Sequence, residues 1–233
     1  MSASPAPVIT LVRHGQAQTG ARDEASYDRL SEQGERQARW LGAHLAQSGE
    51  PVRRLVSGSL ARQRQTAALI GAELGLEPEE DPRLDELDYF GLAEAANRHH
   101  ALPFPTDRAS FLSHMPQVMA AWAEERIGTP RESFAAFEFR IAAALAEAGQ
   151  GAHGPGPGEE PAQTMLVTSG GVIAMALKVA MGLGVHAFSH VALQIENTSM
   201  HRLVPGPDHL RLDLFNATPH LSTRDRRPFR SHT

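Results

Sequence analysis

The sequence Val8-Ile9-Thr10-Leu11-Val12 is a short apolar run rich in β-branched residues, and it ends abruptly at Arg13-His14-Gly15. Such a run, closed by polar residues and a glycine, is typical of a buried parallel strand that leads into a loop. Polar side chains directly after a buried strand are expected to line a functional site. This stretch therefore predicts a strand with a functional site at its end.

The same strand, turn and helix pattern occurs at two further places. Residues 53–57 are predicted to form a strand, and a helix follows over Leu60–Leu74 with Ser59 as its N-cap. Residues 165–168 are a third strand, and the turn Ser169-Gly170-Gly171 leads into a helix that extends to Met181. A further amphipathic helix begins near Gly34, with apolar residues at spacings of three and four.

Alternating strands and helices predict an α/β fold, a three-layer α/β/α sandwich with a mainly parallel central sheet. Ligands of such sheets bind at the carboxyl ends of the strands. Three exits that are distant in sequence are therefore expected to converge there: Arg13-His14-Gly15, Ser57 with Arg62 just beyond it, and Ser169-Gly170-Gly171.

The other segments complete a single domain over residues 1–233. The pattern predicts a helical cap inserted at about 92–132, a helix over Ser133–Ala148, a flexible loop at about 149–162, a hairpin of residues 201–204 and 210–215, and a loose C-terminal tail at about 222–233. Val191, Leu193 and Ile195 alternate, which fits an edge strand that could pair across a homodimer or a buried strand of the same sheet.

Composition excludes several classes of function. The chain has 22 Lys and Arg against 27 Asp and Glu, a net charge of −5, so it has no broad basic field for nucleic acid or an anionic membrane. It has no cysteine, which excludes disulfides, thiolate nucleophiles and Cys-type zinc sites. Without a basic and apolar leader or a spanning segment in the sequence, we expect a cytoplasmic protein.

The residue types at the strand exits are suited to a tetrahedral dianion. The guanidinium groups of Arg13 and Arg62 offer planar forks of donors that match phosphate oxygens, and helix N-termini add backbone donors. His14 among these arginines could hold the anion or attack phosphorus through an imidazole nitrogen. Protonation of the leaving group then needs an acid, and the carboxyl-rich segment Arg83–Gly91, which contains Glu86 between Asp85 and Asp88, supplies candidates.

Several motifs together resemble the histidine phosphatase superfamily, also called phosphoglycerate mutase-like. They are Leu11-Val12-Arg13-His14-Gly15-Gln16, residues 30–38, residues 57–67, residues 84–91, Ser169-Gly170-Gly171-Val172-Ile173 and Asn197-Thr198-Ser199. The resemblance spans almost the whole chain and keeps the order of the family. It implies a nucleophile at His14, phosphate clamps at Arg13 and Arg62, and a proton donor at Glu86. Gln16 and Thr19 resemble positions on the substrate side.

One position departs from the family pattern. The family usually has a second histidine in the turn before Gly170, and Ser169 stands in its place. A serine hydroxyl can donate one hydrogen bond to a phosphoryl group but carries no charge, and a charge-assisted bond is worth about 1.5–3 kcal/mol against about 1 kcal/mol for a neutral one. Ser169 is therefore either a weaker phosphate contact or a small residue that fits a tight turn.

Three functions remain open at this point. The first is a phosphomonoesterase that acts on a small phosphorylated substrate through a phosphohistidine, without a cofactor. The second is a phosphoglycerate mutase, although mutases of the family resemble one another by Arg-His-Tyr after the acid, where this chain has Leu87-Asp88-Tyr89. The third is a phosphate-binding protein without appreciable catalysis. The pairs His186 and His190, and His99 and His100, lack a matching carboxylate, so no metal site is predicted.

Overall fold

Six strands form one sheet in the computed structural model, which describes residues 8–18, 28–128, 130–150, 162–206 and 209–232. The strands are β1 Val8–Arg13, β2 Val52–Ser57, β3 Glu79–Glu80, β4 Gln163–Thr168, β5 Met200–Pro205 and β6 Leu210–Ala217. Their order across the sheet is β3-β2-β4-β1-β5-β6. Strands β1 to β4 are parallel to one another. Strand β5 pairs antiparallel with β1, and β6 pairs antiparallel with β5. The prediction of a mainly parallel sheet is confirmed.

Helices cover both faces of this sheet. In the described residues they are α1 Glu32–Ser48, α2 Ala61–Leu74, α3 Tyr89–His100, α4 Arg108–Ala123, α5 Phe134–Gln150, α6 Gly170–Met181 and α7 Val185–Gln194. Side chains alternate along a strand, so Val12, Met165 and Val167 pack against α1 and α2, whereas Leu11 and Leu166 pack against the other helices. The result is the predicted three-layer α/β fold.

The register of the parallel strands aligns their exits at one edge. Arg13 at the end of β1 lies opposite Thr168 at the end of β4, and Ser57 at the end of β2 lies opposite Val167. The next residues continue the pairing, because the His14 amide donates to the Thr168 carbonyl at 2.8 Å and the Gly58 amide to the Val167 carbonyl at 3.1 Å. The three predicted exits are therefore neighbours in space.

Two local expectations are wrong. Ser59 does not cap α2, since its amide and hydroxyl donate to the Asp85 carboxylate at 2.6 and 2.5 Å, and the cap residue is Leu60. Val191, Leu193 and Ile195 do not form a strand, because residues up to Gln194 belong to α7 and the alternation is part of an amphipathic helix. The sheet edge proposed for a dimer is thus absent at this place.

The C-terminal segment differs from the expected loose tail. Residues Arg227–Phe229 form a short 3-10 helix, and the Phe229 ring packs edge-on against Trp40 with centroids 5.1 Å apart. Arg230 pairs with the carboxylate of Glu196. Apolar and ionic contacts thus hold residues 227–230 against the body of the domain.

Two other segments bear on the sequence predictions. Helices α3 and α4 occupy much of the expected cap, and α4 packs against α3, α5 and α7. In the expected loop at 149–162, Gly149 and Gln150 belong to α5 and residues 151–161 lie outside the described part of the chain. None of the described helices is both long and apolar enough to cross a lipid bilayer.

Candidate active site

His14 lies buried at the exit of β1. Its Nδ1 is 2.7 Å from the Gly15 carbonyl oxygen. A carbonyl can only accept, so Nδ1 carries the proton and Nε2 keeps its lone pair. Burial, and then the positive charges of Arg62 and Arg13, hold the pKa of His14 well below its usual value. The imidazole is therefore neutral and in the tautomer whose Nε2 can act as a nucleophile.

Two glycines allow the His14 loop to lie directly against the start of α1. A Cβ added to Gly15 would overlap the backbone carbonyl of Gly34, and a Cβ added to Gly34 would overlap the backbone of Gln16. The loop is further held by side chains, since the Gly15 amide donates to Thr66 Oγ1 at 3.0 Å. Close packing of backbone on backbone fixes the position of the residue next to His14.

Arg62 lies in the first turn of α2 and is buried. Its Nη1 is 3.0 Å from Asp28 Oδ1, and the amides of Ala61 and Arg62 also donate to the Asp28 carboxylate at 2.9 and 3.2 Å. The Asp28 carboxylate therefore accepts from the first two amides of α2, which follow the cap residue Leu60, and orients the guanidinium at the same time. The positive charge of Arg62 is close enough to His14 to lower its pKa.

Arg13 spans the site from the opposite side. Its Nη1 donates to the carbonyls of Ile195 at 2.5 Å and His232 at 2.8 Å. A Cβ on Gly170 would stand 3.8 Å from Arg13 Nε, so the guanidinium lies beside the N-terminus of α6. Arg13, His14 and Arg62 thus form one cationic cluster around a neutral imidazole, as the strand exits predict.

Ser169 is fully buried and paired with a side chain that the sequence analysis missed. Gln63 Nε2 donates to Ser169 Oγ at 2.8 Å and to the Leu84 carbonyl at 3.1 Å. Ser169 does not cap α6 with its side chain. Because its oxygen already accepts a hydrogen bond, its hydroxyl proton is available for an anion at the N-terminus of α6.

Glu86 is the carboxylate of its segment that reaches the cluster. Its Oε2 accepts from the Gly171 amide at 3.0 Å and its Oε1 accepts from the Leu87 amide at 3.0 Å. A Cβ on Gly171 would overlap Oε1, so a side chain at this position would displace the Glu86 carboxylate. Glu86 lies against Gly171 and Arg13 against Gly170, so the acid and the arginine flank the same turn.

The two neighbouring acids have backbone partners. Asp85 accepts from Ser59, as described above, and Asp88 accepts from the Gly91 amide at 2.9 Å and caps α3. Arg140 of α5 donates to the carbonyls of Arg83 and Asp85 at 2.5 and 2.8 Å, which fixes the backbone before Glu86. Asp85 and Asp88 are thus held at Ser59 and at the start of α3, whereas Glu86 lies at the Gly170-Gly171 turn.

The remaining predicted positions give a mixed result. Gln16 follows His14 and Gly15, and its Oε1 accepts from the Ser31 hydroxyl at 3.0 Å, so its side chain is turned toward α1. Thr19 lies outside the described residues. His186 and His190 face each other across one turn of α7 with Nε2 atoms 3.2 Å apart. In the described ranges no three His, Cys, Asp or Glu side chains are grouped to hold a metal ion.

Comparisons with known proteins agree with this geometry. The family model of the histidine phosphatase superfamily (branch 1) matches residues 9–218. A probable phosphoglycerate mutase, GpmB of Enterobacter sp. (strain 638), is 28% identical over 198 residues, which is 84% of this chain and 83% of that protein.

Solved structures give a similar result. The structure titled mycobacterial hydrolase 2 is similar with a TM-score of 0.69 at 26% identity, covering 97% of both chains. That of a mycobacterial glucosyl-3-phosphoglycerate phosphatase has a TM-score of 0.64 at 26% identity and covers 91% of this chain and 99% of that one. Both mutase and phosphatase names therefore occur among proteins with this fold.

Proposed function

The chain belongs to branch 1 of the histidine phosphatase superfamily, and from this membership we propose that it is a phosphomonoesterase acting through a phosphohistidine at His14, without a metal. One observation carries the proposal. His14 is buried between two arginines with Nδ1 held by the Gly15 carbonyl, which leaves Nε2 unprotonated beside the positive charge that a phosphoryl group needs. A purely structural histidine gains nothing from two neighbouring cations, whereas a nucleophile toward a phosphate dianion does.

The first half of the reaction forms the phosphoenzyme. His14 Nε2 attacks phosphorus in line, the N–P bond forms and the bond from phosphorus to the ester oxygen breaks. Arg13 and Arg62 compensate the charge on the equatorial oxygens, and the Ser169 hydroxyl adds one neutral donor. Glu86, protonated at this stage, gives its proton to the departing alkoxide, which leaves as an alcohol.

The second half regenerates the enzyme. Glu86, now a carboxylate, accepts a proton from a water molecule that attacks phosphorus, and the N–P bond breaks to release inorganic phosphate and neutral His14. Helices α3 and α4 of the cap would limit which leaving groups reach the cluster.

A second candidate is phosphoglycerate mutase activity, which the names of the curated relatives favour. A mutase passes the phosphoryl group from histidine to a second substrate hydroxyl instead of water. The sequence Leu87-Asp88-Tyr89 offers no cation after the acid, and Asp88 is engaged as the cap of α3, so the phosphatase is preferred. A coupled assay with and without bisphosphoglycerate separates the two, since turnover that depends on it would make the mutase correct.

The test is hydrolysis of p-nitrophenyl phosphate from about pH 4 to pH 8 with EDTA present, comparing the wild type with His14→Ala. We expect turnover in EDTA and a loss of at least about 1,000-fold in the variant, because the nucleophile is gone. His209→Ala, at an exposed position on the hairpin, is the matched control and should keep full activity. Since burial and the two arginines lower the pKa of His14, the neutral nucleophile should persist at pH values below the usual histidine range.

Two results would contradict the proposal. Activity retained in His14→Ala would show that another group attacks phosphorus. No turnover in the wild type, together with a thermal shift on binding orthovanadate, would indicate a phosphate-binding protein instead.

A further inference from the structure

The last described residues contact Arg13 of the cationic cluster. We define residues 229–232 as the C-terminal strap. The Phe229 carbonyl accepts from the side-chain amides of Gln37 at 2.6 Å and Gln33 at 3.1 Å, both on α1. The His232 carbonyl accepts from Arg13 Nη1 at 2.8 Å. The strap therefore contacts one of the two proposed phosphate clamps directly.

Two fully buried amides join the strap to the loop that carries His14. Gln37 Oε1 accepts from the Gln16 amide at 2.9 Å, while its Nε2 donates to the strap. Asn197 Nδ2 donates to the His14 carbonyl at 3.1 Å, while its Oδ1 accepts from the strap. Each amide thus has one end on the nucleophile loop and the other on residues 229–231.

Both amides meet at one hydroxyl. Ser231 Oγ donates to Asn197 Oδ1 at 2.9 Å and accepts from Gln37 Nε2 at 3.0 Å. A hydroxyl has a single proton, and here it is used once, toward the Asn197 oxygen, so the network is consistent in direction throughout. The backbone adds a third bond, since the Asn197 amide donates to the Ser231 carbonyl at 2.8 Å.

We propose that Ser231 is a positioning residue, through which the C-terminal strap sets the backbone that follows His14 and the guanidinium of Arg13. Ser231 acts through Asn197 and Gln37 on residues 14 and 16, and its neighbour His232 acts on Arg13. This role rests on the proposed function, because it concerns the geometry of attack on phosphorus. Displacement of a reacting group by about 1 Å can cost on the order of 100-fold in rate.

The experiment compares three serine variants in the full chain. Ser231→Ala should lower kcat for p-nitrophenyl phosphate about 10-fold with KM changed by less than about 2-fold, because binding groups remain and alignment is lost. Ser231→Thr keeps the hydroxyl and should restore kcat to within about 2-fold of the wild type. Ser222→Ala is the matched control, since its hydroxyl donates to the Pro219 carbonyl at an exposed position nearby.

A second measurement does not depend on turnover. Amide hydrogen exchange at Gln16, whose amide donates to Gln37, should be faster by about 5-fold or more in Ser231→Ala, while the amides of β4 keep their protection. This local loosening distinguishes a positioning role from general destabilisation.

Each outcome then has one meaning. Unchanged kcat with unchanged exchange at Gln16 would overturn the proposal, as would equal losses in Ser231→Ala and Ser231→Thr or a uniform rise in exchange across the sheet. If the wild type shows no turnover, the proposed phosphatase function fails, and exchange at Gln16 still decides whether the strap holds the loop.

Discussion

The strand ends and the helical cap of this protein differ in the exposure of their side chains. At the strand ends, side chains such as His14, Arg62 and Ser169 are buried and held by defined partners. On the cap, Phe104 and Leu112 are exposed, as is Phe90 at the start of α3. The cationic cluster is thus fixed by packing at the sheet edge, whereas we propose that exposed apolar side chains of the cap contact the leaving group of the substrate.

Replacement of Glu86, the proposed acid beside the strand ends, should give the largest loss of activity in this series. Glu86→Gln keeps the shape and still accepts from Gly171, but it cannot transfer a proton. We expect kcat for an alkyl phosphate, whose leaving group is a poor one, to fall by about 100-fold to 1,000-fold. For p-nitrophenyl phosphate the phosphorylation step should suffer much less, because p-nitrophenolate leaves without protonation. The measurement is the rate of each substrate in a single turnover.

Asp88→Asn is the control for this change. An asparagine still caps α3, and Asp88 contacts the Gly91 amide instead of the cluster, so both rates should stay within about 2-fold of the wild type. Equal loss with both leaving groups in Glu86→Gln would mean that Glu86 positions other groups and does not act as the acid.

Replacement of Ser169, at the same edge of the sheet, should lower activity by a smaller factor. Ser169→Ala removes the neutral donor, and we expect kcat to fall about 10-fold, less than the loss of a charged contact. The free energy of unfolding should fall by about 1–3 kcal/mol, since the buried Gln63 amide keeps its bond to the Leu84 carbonyl but loses the acceptor of its second N–H. Steady-state kinetics and denaturant unfolding are compared with Ser189→Ala, a buried serine of α7 whose hydroxyl donates to the His186 carbonyl. Wild-type kcat in Ser169→Ala would show that this residue only fits the turn.

The layers of the fold could be predicted from the sequence because burial repeats with a fixed period. Residues 8–12 and 165–168 are uniformly apolar or β-branched, and α1 has its apolar residues on one face. Where a short segment fits both the strand period of two and the helical period, the prediction is wrong. Residues 191–195 satisfy a period of two over too short a length, and only the packing of α7 against α4 and α6 shows that they belong to a helix.

The site could be predicted only where motifs mark it. His14, Arg13, Arg62 and Glu86 lie at the expected edge because strand exits converge in a parallel sheet. Asp28, Gln37 and Gln63 were missed, since a buried polar residue that pairs over a long sequence distance has no periodic signal. The strap was missed for the same reason, and Arg230, which lies in the tail expected to be loose, is paired with Glu196.

Phe90, an exposed apolar residue of α3 shortly after Glu86, tests the role of the cap. Phe90 is 51% exposed, and Phe139 on α5 is 75% exposed, so the same change to serine can be made at both with little effect on stability. If the cap selects the leaving group, Phe90→Ser should lower kcat/KM for naphthyl phosphate relative to glycerol phosphate by about 3-fold to 10-fold, because apolar contact is lost. Phe139→Ser should leave that ratio unchanged. An unchanged ratio in both variants would mean that the exposed face at Phe90 does not contact the leaving group, and selection would then have to come from the strand ends themselves.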